Sequence, residues 1–186
     1  MTNDPVIPQE RFDYAVNIIL SHEGGYSNDP DDLGGETNFG ITQSDLLTYG
    51  KMLKLPINVK DLTRNEAEVF YKKFYWDKYN YNAINSLPIA TKIFDMAVNM
   101  GAHEAHVLVQ RALGRLGYFG YNHLPVDGII GAHTIAAINE ECIHCGEEEL
   151  MKALITEAKI FYEYLVINKP HLKKFLNGWL ERASWS

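Results

Sequence analysis

Glu23 is followed closely by Asp29, Asp31, Asp32, Glu36 and Thr37 in the stretch H-E-G-G-Y-S-N-D-P-D-D-L-G-G-E-T-N-F-G-I-T-Q, residues 22–43. Carboxyls this dense can divide roles when their surroundings differ. One keeps its proton and acts as an acid while its neighbours stay ionised. Cleavage of a glycosidic bond needs that division: one carboxyl protonates the leaving oxygen, and a second stabilises positive charge or activates water. A calcium-binding loop is the competing chemistry for an acidic cluster. Asp29, Asp31 and Asp32 lack the alternate ligand spacing and the closing glutamate of a helix-loop-helix calcium site.

Phe12, Val16, Ile19 and Leu20 recur at helical spacing and predict an apolar helix over 10–22. Gly24 and Gly25 stop it, which leaves Glu23 at the negative end of the helix dipole. That position, with any apolar wall around it, disfavours the charged form and suits a general acid. Asn28-Asp29-Pro30, Gly34-Gly35 and Phe39-Gly40-Ile41 then punctuate a polar stretch as turns between small strands, a hairpin beside the helix. On that arrangement Asp32 is the aspartate expected to face Glu23, and the Thr37 hydroxyl is expected to place a water. Tyr26, Asp29 and Glu36 are expected at the substrate-binding rim.

The remaining pattern is helical, with helices expected near 43–54, 64–79, 88–100, 103–117, 132–141, 147–168 and 171–182. Thr63 with Glu66 forms a capping-box pattern, and Gly101 is a natural stop. Phe70, Tyr71, Phe74, Tyr75, Trp76, Tyr79 and Tyr81 make a dense aromatic run. Phe70 and Phe74 at helical spacing read as core, while Trp76 or one or two tyrosines are expected against the apolar face of a sugar ring. Asn99 is a polar residue on an apolar helix, expected either to bind substrate or to brace the hairpin.

At these residues the chain resembles a known family. The stretch from His22 to Thr42 is similar to the signature of the family 108 glycoside hydrolases, N-acetylmuramidases of phages and bacteria. The similarity continues through Leu62-Thr63 with Glu66, Ala67 and Tyr71 to Trp76, and through D-M-A-V-N-M-G at Asp95 to Gly101. Leu33 stands where the family usually has a proline before the double glycine. The resemblance implies that Glu23 is the catalytic acid and that the fold is mainly α, a lysozyme-like helical domain with a small β-hairpin beside the active-site helix. A looser similarity to phage-type lysozymes, with glutamate, aspartate and threonine at nearly this spacing, points to Asp32 and Thr37 next. The span Val107-Leu108-Val109-Gln110-Arg111-Ala112-Leu113, then Val126-Asp127-Gly128-Ile129-Ile130-Gly131 and Thr134, resembles the small helical peptidoglycan-binding module. The same elements also describe a helix, a glycine turn and a helix with no ligand. The expected organisation is a muramidase region over 1–90 and a peptidoglycan-binding-like helical region over 91–186.

The chain has 186 residues, 46% of them hydrophobic, which is enough for a real core. A net charge of −7 argues against a nucleic-acid partner and leaves wall binding to groove contacts more than to long-range attraction. The N-terminal residues lack the basic start and apolar core of a secretory signal, and no apolar stretch spans a bilayer. Cytoplasmic synthesis is therefore expected, and the family resemblance implies action on the wall after release; a monomer is the default expectation. No cofactor or metal is expected: Cys142 and Cys145 form a lone C-x-x-C without a second pair, and His103-Glu104-Ala105-His106 is one residue short of a zinc-protease motif. The expected partner is the glycan strand of peptidoglycan, and the expected reaction is hydrolysis between N-acetylmuramic acid and N-acetylglucosamine. A lytic transglycosylase giving anhydro ends, or a non-catalytic wall-binding or secretion-accessory protein, are the alternatives.

Overall fold

The computed structural model describes residues 8–28, 35–117 and 124–185. The fold is mainly α, with one two-stranded antiparallel sheet among the described residues. Two compact units divide the chain between Asn82 and Ala83, a little before the expected 90/91 boundary.

In the first unit, α1 (Pro8–His22) buries Phe12, Ala15, Val16, Ile19 and Leu20, the stripe its periodicity predicts. Its last turn closes with the Glu23 amide donating to the Ile19 carbonyl at 3.0 Å. Strands β1 (Thr37–Asn38) and β2 (Ile41–Thr42) pair Thr37 with Thr42 and Asn38 with Ile41. The two residues between them, Phe39 (φ 52°) and Gly40 (φ 75°), both have positive φ, the signature of a type I′ hairpin turn. On its other edge β1 bridges Ser27, with both Ser27–Thr37 backbone hydrogen bonds formed at 2.8 and 2.9 Å.

The hairpin runs straight into α2 (Gln43–Leu53), because Thr42 and Asp45 form a capping box at its start. The buried Asn38 amide donates to the Val59 and Leu62 carbonyls and ties the strand to the following loop. The expected box at Thr63 and Glu66 opens α3 (Arg64–Tyr71). The single helix expected over 64–79 instead changes to a π-helical segment at Lys72–Trp76. The wider turn goes with full burial of the Trp76 indole, 1% exposed, edge-on to Phe12 at 5.9 Å and Tyr81 at 6.1 Å.

The second unit is built on α4 (Leu87–Met100), whose residues from Ile89 to Ala97 are all buried, as in a helix surrounded by others. Around it come α5 (Ala102–Arg115), α6 (Ala132–Glu141), α7 (Glu147–Asn168) and α8 (Leu176–Ser184). Burying α4 would strand its polar residues, and each is answered. Lys92 donates to the carbonyls of Ala183 at 2.7 Å and Trp185 at 2.6 Å. Asp95 receives Arg182 at 2.9 and 3.1 Å. Asn99 donates to the Tyr162 hydroxyl and accepts from Arg182 at 3.4 Å. Positions 92, 95 and 99 share one helical face, so this face is a polar clamp on the end of α8.

Removing one partner of a buried ion pair leaves the other charge uncompensated. The Asp95 side chain is 2% exposed, so Arg182→Ala should destabilise the second unit by about 3–5 kcal/mol. Urea unfolding followed by circular dichroism measures this.

Candidate active site

The site lies in the first unit, where the end of α1 meets the hairpin. A Cβ built on Gly40 would fall 2.5 Å from Glu23 Oε2, 2.7 Å from its Cδ and 2.7 Å from the Tyr71 hydroxyl. The Glu23 carboxyl and the Tyr71 phenol therefore flank the bare face of Gly40. Glu23 is half-buried and Tyr71 is buried. The Tyr71 hydroxyl donates to the Phe39 carbonyl at 2.8 Å.

Tyr75 follows Tyr71 one turn on, ring centroids 5.7 Å apart. Burial first, then the charges of Asp45, Tyr79, Glu23 and Tyr49, push its phenol up to about 12. It therefore stays protonated, a neutral group close to the carboxyl. The Glu23 carboxyl is thus set against a glycine turn and the Tyr71 hydroxyl, with the neutral Tyr75 phenol near enough to feel its charge.

The rim residues expected from sequence are held to one another. Glu36 Oε1 accepts from the Tyr26 hydroxyl at 3.0 Å and the Asn28 amide at 3.3 Å, with the Lys60 ammonium 3.6 Å away. Lys60 also lies over the Tyr26 ring, 5.0 Å from its centroid. Glu36 thus braces the edge of the small sheet. Thr37 is fixed in β1 between Ser27 and Thr42. Asp29, Asp31 and Asp32 lie outside the described residues.

Trp76 requires a correction. Its indole is a core element of the first unit and has no open face for a sugar ring, because the π segment carries it inward. Asn99 belongs to the second unit, where its amide serves Tyr162 and Arg182. Sequence reasoning missed Gly40 and singled out neither Tyr71 nor Tyr75 within the aromatic run. The spacing of the two tyrosines, four apart on a helix, was the available signal.

In the second unit the Asp127-Gly128 turn is locked by Gln110. Its amide donates to Asp127 Oδ1 at 2.9 Å and the Ile129 carbonyl at 3.2 Å, while its carbonyl accepts from the Gly128 amide at 2.8 Å. Gly128 has φ 72°, and a Cβ there would collide with the His103 ring. A cavity of about 260 Å³ lies beside this turn, lined by Leu124, Pro125, Asp127, Ile129, Ala132 and Thr134 among others. Cys142 and Cys145 are free, and both thiols are pushed up, Cys142 by burial and Cys145 by a hydrogen bond with Glu141. Among the described residues no group of three His, Cys, Asp or Glu is placed to hold a metal.

A glutamate at the end of an apolar helix, set over a small hairpin in a mainly α unit, is the arrangement of a lysozyme-like glycoside hydrolase domain. Residues 11–101 match the family model described as glycosyl hydrolase 108. Residues 104–184 match one described as predicted peptidoglycan domain. Among solved structures, the chain is similar to Brucella abortus SagA at 27% identity and a TM-score of 0.75, covering 95% of this chain and 91% of that one. No curated protein matches the chain. The chain carries a glycosyl hydrolase 108 domain followed by a peptidoglycan domain, and is a glycoside hydrolase directed at peptidoglycan. Among the described residues no helix is long and apolar enough to cross a membrane.

Two outcomes are expected from this geometry. Gly40→Ala places a methyl on the Glu23 carboxyl at a positive φ, so clearing of purified cell walls should fall by about 100-fold. The His106 imidazole is pushed down to about 4, mainly by burial, with His103 adding to the effect and the Gly128 carbonyl opposing it. The unfolded chain protonates this imidazole first, so its contribution is complete above about pH 6.5 and is lost as pH falls toward 4. Thermal midpoints taken across that window should drop less steeply in His106→Gln than in the wild type.

Proposed function

We propose that this chain is an endo-acting N-acetylmuramidase that hydrolyses the β-1,4 bond between N-acetylmuramic acid and N-acetylglucosamine, with Glu23 as general acid. The observation that carries this reading is the seating of the Glu23 carboxyl against Gly40, at the mouth of a helix in a glycosyl hydrolase 108 domain. Glu23 gives its proton to the glycosidic oxygen as the bond breaks, and positive charge develops at the anomeric carbon. Asp32 stabilises that charge or activates water, and Thr37 places the water. Whether the anomeric centre inverts follows from the separation of the two carboxyls, about 6.5–9.5 Å for inversion and about 5–5.5 Å for retention. Residues 104–184 supply affinity for the wall, in keeping with their match to a predicted peptidoglycan domain. A role in releasing phage or prophage progeny fits this activity.

The test is mass spectrometry of fragments freed from purified peptidoglycan by the wild type and by Glu23→Gln. Reducing N-acetylmuramic acid ends from the wild type, absent with Glu23→Gln, are expected. Anhydro-muramic ends would move the protein to the lytic transglycosylases. Equal activity in the two proteins would remove Glu23 as the acid, and no fragments from either would leave a wall-binding role.

A further inference from the structure

The turn that touches Glu23 is strained. Phe39 is a bulky residue with φ 52°, in the left-handed region that such residues rarely occupy. Strain of this kind persists only where the surroundings impose it, and it concentrates at functional sites. Here the imposing contact is visible. Tyr71, 1% exposed, sends its phenolic hydrogen to the carbonyl of that same Phe39 at 2.8 Å. The next residue, Gly40, presents its bare face to the Glu23 carboxyl and to the Tyr71 oxygen together. One buried hydroxyl therefore reaches the strained residue, the glycine beside it and the neighbourhood of the acid.

We propose that Tyr71 is a positioning residue for Glu23, holding the Phe39–Gly40 turn in its left-handed conformation so that Gly40 forms the seat of the carboxyl. This rests on the assignment of Glu23 as the acid. Without the hydroxyl, Phe39 is released toward ordinary φ values, and a turn left with positive φ only at its second residue, Gly40, is of type II, which splays the strands of a two-residue hairpin. Gly40 then moves off the carboxyl, and Glu23 gains freedom along directions that do not point at a glycosidic oxygen. Such a displacement acts on the chemical step more than on glycan binding, because the rim braced by Glu36, Tyr26 and Lys60 uses other contacts. The Tyr71 hydroxyl donates to the Phe39 carbonyl, so its role here is to position the turn.

Steady-state kinetics on soluble glycan strands prepared from peptidoglycan test this, comparing wild type, Tyr71→Phe, Phe39→Gly, the double variant and Glu23→Gln. Tyr71→Phe should lower kcat by about 10- to 100-fold. Its KM should stay within about twofold, since uniform binding is untouched. Glycine adopts positive φ without strain, so Phe39→Gly in the Tyr71→Phe background should recover most of the lost kcat. Wild-type kcat in Tyr71→Phe overturns the inference. So does a loss of kcat that Phe39→Gly leaves unchanged, or one that tracks loss of folded protein in circular dichroism of the same samples. Glu23→Gln separates the two claims. Full turnover there sinks the acid assignment, whereas an inactive Glu23→Gln beside a normal Tyr71→Phe sinks only the role given to Tyr71.

Discussion

A bare Cα at residue 40 lets the end of α1 and the β-hairpin come together closely enough for a carboxyl to rest on the turn. Any side chain at that position would collide with Glu23 and would also resist the positive φ. The rest of the site is arranged around this contact. β1 is tied back to Ser27, just beyond the glycines that end α1, so the hairpin cannot drift from Glu23. β2 passes without a linker into the capping box of α2, which fixes the other end. Asn38 anchors the strand to the Val59–Leu62 loop. The hairpin is very short, and these attachments at both ends make up for the few ladder bonds that two-residue strands can form.

In the second unit polar side chains are met by partners within the unit. Asn99, expected to bind substrate or to brace the hairpin, and the buried Asp95 one turn before it both hold Arg182. Gln110 similarly spends its whole amide on the Asp127-Gly128 turn. A charged or amide side chain inside a helical unit costs several kcal/mol unless its hydrogen bonds are met. The simplest partners are backbone and side chains of the same unit, which is what is found here.

The local code of this sequence is readable because it acts over a few residues. The apolar stripe of α1, the box at Thr63 and Glu66 and the stop at Gly101 each specify a helix or its end by short-range physics, whereas Gly24 and Gly25 follow α1 without the left-handed φ of a glycine stop. The hairpin is legible from its turn residues, although Phe39 gives no hint of left-handed backbone. What stays hidden depends on distant partners. The Arg182 contacts lie 87 residues from Asp95, and no local pattern announces them. Trp76 looks available to a sugar because helical spacing continues past Tyr71, whereas the π segment turns it inward. Glu23 can be picked out as a candidate from its place at the helix end, but its seat on Gly40 depends on how the turn closes in three dimensions.

The polar clamp on α4 also sets a timetable. Lys92 and its partner carbonyl at Ala183 are 91 positions apart. At about 5–20 residues per second, translation leaves α4 waiting on the order of 5–20 s for the helix that neutralises it. During that interval a helix built to be surrounded carries an ammonium and a carboxylate without their final partners. The clamp closes only once α8 has been made.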